Sequence, residues 1–218
     1  MKKLILSLAA ACLFLNVSAQ SDSAYFEVGL NVIKLTNFLG VADEPSQQDV
    51  WNPYTLTANF GRNRLLLRSG FGYTSLYNSE NSLENVSFDT TSKTMDFRVG
   101  FGRDFIISSK WNLKLGVDYF MANRTSIYEA NFKDQNGEII ANKRDLTYRE
   151  KGVEPFLFVQ YNFMRRVSIG TELLFRISSY RNIDKDTSNG NTNQIVKEYS
   201  GAKRILMAPS ALFVQIRF

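Results

Sequence analysis

Apolar side chains return at every second position in eight stretches, running approximately from Tyr25 to Lys34, Tyr54 to Arg62, Arg64 to Tyr77, Thr94 to Arg103, Trp111 to Ala122, Val153 to Phe163, Val167 to Ile177 and Ala208 to Phe218. A period of two is the spacing of side chains on one face of a β-strand, so the pattern predicts eight strands, each with an apolar face and a contrasting one. Lengths near ten residues match the roughly 9 to 11 that a tilted strand needs to cross a hydrocarbon layer. In the last stretch Leu212, Val214, Ile216 and Phe218 alternate with Ala211, Phe213, Gln215 and Arg217, so the sequence closes on an aromatic residue of a strand's apolar face.

The connections alternate too. Arg62 to Arg64, Asp104 to Lys110 and Met164 to Arg166 are short, whereas Thr36 to Pro53, Asn78 to Lys93, Asn123 to Gly152 and Ser178 to Met207 are long. Short turns at one end and long loops at the other are the asymmetry of an up-and-down membrane barrel, and an even strand number puts both termini at the short-turn end. Pro155 and Pro209 each remove a ladder donor, so the sixth and eighth strands are expected to begin after them or to bulge there.

The apolar parity decides between lipid and a protein core. Phe26, Val28, Leu30, Val32, Tyr54, Leu56, Ala58, Phe60, Leu65, Leu67, Phe71, Tyr73, Phe97, Val99, Phe101 and their equivalents in later strands include no Asp, Glu, Lys or Arg. A soluble barrel or sandwich also buries one parity, but its other parity must then face water. Here that parity carries Gly29, Gly61, Gly70, Gly72, Gly100, Gly102, Gly116 and Gly170, which suit a narrow interior better than a solvated strand face. Phe60, Trp111, Phe163 and Phe218 fall at the short-turn ends, and Trp51, Tyr54, Tyr73, Tyr77, Tyr119 and Tyr180 at or near the other, as two interfacial girdles would.

Ahead of the first strand, Lys2 and Lys3 precede an apolar run from Leu4 to Leu15 and a small-residue site, Val17-Ser18-Ala19. We read residues 1–19 as a removed secretory signal and 20–218 as the barrel domain. A retained helical anchor would need roughly 20 apolar residues, and a lipoprotein signal on Cys12 would need a large aliphatic residue where Ala9 stands. Loss of Lys2 and Lys3 lowers the formal charge from +5 to +3, and loss of Cys12 leaves no thiol chemistry or disulfide framework. That excess is spread over turns and loops, with Arg62, Arg64, Arg103, Lys110, Arg165 and Arg166 at the short-turn end, which points to anionic headgroups and not to nucleic acid.

The leader, the eight alternating segments, the alternation of short and long connections and the terminal Phe218 resemble the small, porin-like outer-membrane β-barrel family of Gram-negative bacteria. The resemblance spans the mature chain. It implies an all-β, eight-stranded antiparallel barrel in the cell outer membrane, with periplasmic termini and with outer-membrane lipid as its surroundings. It also implies that Phe218 and its strand are read by the barrel-insertion machinery.

The inward parity carries Glu27, Asp96, Asp118, Glu154 and Glu172 against Arg68, Arg98, Lys114, Arg176 and Arg217. An eight-stranded barrel is just wide enough for side chains to fill, so these balanced charges are expected to pair across the lumen; the rival is a narrow ion pathway. Glu154 and Glu172, on neighbouring strands, are the one carboxylate pair placed for general acid-base work, with five bases at hand to neutralise them. The barrel enzymes this family resembles need a histidine, and the chain has none; no cofactor is expected either. Gly70-Phe71-Gly72 and Gly100-Phe101-Gly102 lie inside strands, not in a phosphate loop, and Asp184 to Gly190 only faintly follows a calcium loop, with Ile195 at its closing position.

Function then falls to the loops. Ile127 to Phe132 and Ile139 to Tyr148 read as a hairpin around Asn136-Gly137 that extends strands five and six beyond the membrane. The reading is a non-enzymatic structural or surface-binding barrel with a filled lumen, whose loops take an extracellular ligand. The alternatives are a passive conduit for ions or small apolar solutes and an accessory to secretion or envelope assembly.

Overall fold

The computed structural model describes residues 24–38, 52–83, 86–133, 139–188 and 195–218. The expected leader and Trp51 lie outside the described residues. The described residues form nine strands and one short helix: β1 (Tyr25–Asn31), α1 (Val32–Phe38), β2 (Leu56–Arg62), β3 (Leu65–Leu83), β4 (Val86–Ile106), β5 (Trp111–Lys133), β6 (Ile139–Asn162), β7 (Val167–Ser188), β8 (Ile195–Met207) and β9 (Phe213–Arg217). Each strand pairs antiparallel with its sequence neighbour from β1 to β8, and β9 closes the ring by pairing with both β1 and β7. The fold is therefore the all-β, eight-stranded antiparallel barrel that the alternation implies, with its eighth stave in two pieces.

That split corrects the expected strand from Ala208 to Phe218. β8 pairs with β7 from Leu174 to Asp186, β9 pairs with β7 from Val167 to Gly170, and the chain leaves the ladder around Pro209. Proline has no N–H to give, so the stave breaks where the donor is missing. At Pro155 the β6–β7 pairing lapses between Val153↔Ile177 and Phe156↔Leu174 but resumes in the same register, so the donor is lost without a bulge.

The registers fix the barrel's size. Following Cα partners from Val28 through Ala58, Ser69, Val99, Tyr119 and Val153 leads to Ile177 on β7. Going the other way, Val28 pairs with Ile216 and Ile216 with Val167. Ile177 and Val167 are ten residues apart, which is the shear of the barrel. Eight staves with that shear tilt by roughly 40° and enclose a backbone radius of roughly 8 Å, a space that side chains can fill.

The first strand is shorter than expected. Asn31 takes the chain out of the sheet: its side-chain oxygen accepts from Lys34 N at 3.4 Å, the reach of a helix N-cap, while its amide donates to Tyr54 O at 3.1 Å. Val32, expected on the strand's apolar face, instead opens α1. The middle strands are much longer than expected. β3 to β7 have 19 to 24 residues, about twice what crosses a hydrocarbon layer. Asn78 to Lys93 and Ser178 to Met207, read as long loops, are largely β-hairpin, and the hairpin read within Asn123 to Gly152 does extend β5 and β6, with Asn136-Gly137 outside the described residues; Thr36 to Pro53 lies largely outside them as well.

Outward side chains sort by height. A belt of apolar groups, including Phe26, Leu67, Phe97, Val117, Met121, Ile177 and Ile216, is exposed around the barrel. Above it the outward positions turn polar at Lys93, Asn123, Lys151, Ser179 and Arg204. Phe60, Trp111, Phe163 and Phe218 lie exposed at the short-turn end, and Tyr73, Tyr77 and Tyr119 are exposed toward the other.

The β2–β3 turn joins Arg62 and Leu65, which pair directly, through Asn63 and Arg64 at φ 50° and 65°. Both residues are left-handed, as a two-residue hairpin of the mirror-image type requires, and a side chain at the second position costs energy that glycine avoids. Arg64→Gly is expected to stabilise the barrel by up to about 1 kcal/mol and Arg64→Val to destabilise it by a similar amount, read as opposite shifts of the urea midpoint in detergent micelles.

Candidate functional site

The interior is built from the second parity of the strands. Glu27, Arg68, Asp96, Arg98, Lys114, Asp118, Glu154, Glu172 and Arg176 are all buried and Arg217 is half-buried. Nine of the ten take part in three stacked groups. Nearest the short turns, Glu27 of β1 accepts from Lys114 of β5 across the lumen and from Arg217 of β9, whose Nε lies at 2.8 Å, with Gln160 Nε2 at 3.3 Å. The Arg217 guanidinium lies 4.4 Å from the centre of the Tyr25 ring, and Tyr25 donates to Asp104 at 2.6 Å.

In the middle group Glu172 of β7 receives Arg68 of β3, Arg98 Nη1 of β4 at 2.9 Å and Asn52 Nδ2 at 2.7 Å. Asp118 of β5 completes the square, 3.3 Å from Arg68 Nε and 3.5 Å from Arg98 Nη1. The upper group centres on Arg176, held 2.5 Å from Glu154 and 3.7 Å from Glu150; Ser178 donates to Glu150 at 2.5 Å. Asp96 is equally buried but stands outside these ion pairs among the described residues.

Every arginine of these groups also covers an aromatic ring. Arg68 lies 3.8 Å from the centre of Phe156, Arg98 3.9 Å from Tyr54 and Arg176 4.0 Å from Phe120. A guanidinium satisfies carboxylates with its edge and stacks with its face, so alternating ions and rings fill the section. Glycine makes room for this at Gly70, where a Cβ would come 2.5 Å from Arg98 Nε.

Several sequence expectations change. Tyr54, expected on the lipid face, is fully buried: Asn52 Oδ1 accepts from Tyr54 N at 3.1 Å in a turn before β2, and the Tyr54 hydroxyl donates to Glu154 at 2.7 Å. Tyr180, expected in the outer girdle, points inward and stacks on Tyr148 with ring centres 5.6 Å apart. Glu150, Asp104 and the inward rings of Phe120, Phe156, Phe158 and Phe213 are additions that the sequence reading does not single out; Glu150 is recoverable by continuing the inward parity of Glu154 back along β6. Phe218 sits at the seam, its N donating to Phe26 O at 2.8 Å and its ring exposed.

The chemistry this permits is limited. Glu154 and Glu172 belong to different groups, each carboxylate engaged by arginine, so they do not share a proton. Among the described residues no three carboxylate or thiol side chains gather as a metal site would require. The faint calcium pattern is strand as far as Ser188 and lies outside the described residues beyond it; Asp184 accepts two hydrogen bonds from Arg144, at 2.9 and 2.7 Å, which hold its carboxyl below the usual range.

Above the ion groups the lumen opens into a vestibule of about 590 Å³ between β5, β6, β7 and β8. Arg124 and Ser126, Leu146 and Tyr148, Tyr180 and Asn182, and Ala202 and Lys203 line it, a pair from each strand.

No protein-family model matches the chain, and no curated protein does. Among solved structures, a major outer membrane protein from Thermus thermophilus is similar, at 10% identity and a TM-score of 0.44 over 90% of this chain and 100% of that one. The barrel itself rests on strand register.

Two arginine–glutamate pairs of the same chemistry separate burial from exposure. Glu172→Gln leaves the buried Arg68 and Arg98 facing a neutral amide and is expected to cost about 3–5 kcal/mol. Glu198→Gln, at the exposed pair with Arg181, is expected to leave the unfolding midpoint in urea unmoved. Equal midpoints for the two variants would show that the lumen is hydrated.

Proposed function

We propose that the chain is a non-enzymatic outer-membrane β-barrel whose lumen is closed to solutes and whose projecting hairpins bind a ligand outside the cell. The observation that carries this reading is the middle ion group, where Glu172 of β7 meets Arg68 of β3 and Arg98 of β4 from the far wall. A channel at this height would have to break charge pairs that water does not screen, and ions in transit would compete with fixed partners. The apolar belt, free of charge over the height a bilayer core occupies, supports the membrane placement.

In this arrangement the termini and short turns face the periplasm. Exposed Arg62, Lys110, Arg165 and Arg166 there lie beside the anionic inner leaflet, and Phe218 marks the strand that the insertion machinery takes up. At the other end β3 to β8 continue as a six-stranded sheet with polar outward positions, a large rigid surface that membrane anchoring alone does not require. The absence of histidine and the engagement of Glu154 and Glu172 by arginine support the non-enzymatic part.

Folded protein is expected to migrate differently from a boiled sample on a denaturing gel and to show no stepwise conductance in planar bilayers. The pair Arg98→Ala and Glu172→Ala, which trims both walls of the middle group, is expected to open a small conductance. Steady conductance by the unaltered protein would replace this reading with that of a conduit.

A further inference from the structure

We propose that the vestibule above the ion groups is a binding site for an acidic saccharide, with Tyr148 and Tyr180 as the stacking platform and Arg124 and Lys203 as the anion clamp. This deepens the surface-binding reading and rests on it.

The site is assembled by strand parity. On β5, β6 and β7 the alternate residues that fill the lumen lower down continue upward as Arg124 and Ser126, Tyr148 and Leu146, and Tyr180 and Asn182, all facing the same open vestibule. Arg124 pairs with Tyr148 in register, and Tyr180 with Gly201 of β8. The glycine matters here: a Cβ at Gly201 would come within 2.7 to 2.9 Å of the Tyr180 hydroxyl and ring, so its absence lets the ring lie across β8. Tyr180 is thereby set nearly parallel to Tyr148, with an interplanar angle of 21°.

Two cations complete the shelf. The Arg124 guanidinium lies 5.4 Å and the Lys203 ammonium 5.7 Å from the centre of the Tyr148 ring. The lining contains no acid. The carboxylate of Glu150 sits below and is engaged by Arg176, by Ser178 and by the Tyr148 hydroxyl at 3.1 Å, with Lys203 4.0 Å away. Lys203 is thus shared between this floor and the space above it, Arg124 lies within electrostatic reach of Asp96 on β4, and the charged groups that line the space itself are cations.

Chemistry then selects the ligand class. Aromatic faces bind the C–H face of a sugar ring, the cations select a carboxylate or sulfate, and Ser126, Asn182 and the Tyr180 hydroxyl offer hydrogen bonds to ring hydroxyls. An aromatic acid would use the first two but leave the third set unmet. The volume of about 590 Å³ suits a ligand of two or three sugar units within the range of ordinary small-molecule sites.

The test is calorimetric titration of the folded full chain in zwitterionic detergent with trigalacturonate, and with maltotriose as the neutral control. The expected result is binding of trigalacturonate that weakens with added salt, falls at least tenfold in the Arg124→Gln/Lys203→Gln double variant, and exceeds that of maltotriose. Gly201→Ala, which displaces Tyr180 without changing charge, is expected to weaken binding as well. Each variant is first checked for the folded gel shift. No binding of trigalacturonate at millimolar concentration, equal binding of maltotriose, or a double variant that binds as well as the unaltered protein would overturn the proposal. A failure here with no conductance in planar bilayers leaves surface binding to be sought on the outer face of the hairpins, whereas conductance removes the parent reading.

Discussion

Closure of the sheet is the constraint on which the rest of the molecule depends. A sheet in hydrocarbon can leave no edge, because each unpaired N–H or C=O there costs several kcal/mol. The chain leaves no edge at the height of its apolar belt: a β1–β9 seam of five paired positions, continued by the Phe26–Phe218 backbone bonds, closes it. Once the ring is closed at eight staves and a shear of ten, its radius is settled. The interior must then be made by side chains of one parity, whatever they are.

A space of that width cannot hold bulk water and cannot be left empty, which explains why its charges appear in balanced groups with rings between them. A purely apolar lumen would also fill the space, yet it would erase the contrast between the two faces that sets strand register. Charged groups aimed inward cannot be turned to lipid without heavy cost, so each buried Arg or Glu pins its strand against a one-residue slip. The ion pairs therefore act less as a source of net stability than as a record of which face is which.

This also explains what can be read from the sequence. Alternation is legible where one face is an exposed apolar belt and the other fills the lumen, and the belt strands from Leu65 to Tyr73, Thr94 to Arg103 and Trp111 to Ala122 are visible for that reason. Above the belt the outward face is polar and that contrast is lost. Thr90-Thr91-Ser92-Lys93-Thr94 is strand in the structure but carries no contrast of hydrophobicity, so that hairpin reads as a loop, whereas the β5–β6 hairpin is legible through its Asn136-Gly137 turn signal. Tyr180 and Glu150 are misplaced or missed with them, since a parity that stops at Ile177 and Val153 does not reach them. Tyr54 and Val32 fail differently: local hydrogen bonding by Asn52 and Asn31 ends the strand geometry, and an apolar residue next to such a turn keeps the period without keeping the direction.

The hairpins and the lumen are one structure seen at two heights, and the difference between them is the solvent outside. Within the belt, inward residues have only one another for company, so ions and rings alternate across the section. Where β5 to β8 rise past the belt, the stave formed by β8 and β9 is interrupted at Pro209 and the short β1 and β2 have ended, so among the described residues the ring opens while the inward parity persists. The same rule that puts Arg98 on Tyr54 and Arg176 on Phe120 puts Arg124 and Lys203 over Tyr148. Lower down, the closed ring buries Arg98 and Arg176; at the height of Tyr148, β1 and β2 have ended and no other described strand stands in their place. A cation-on-ring motif repeated where the ring has opened makes a shelf that an anion from outside can reach.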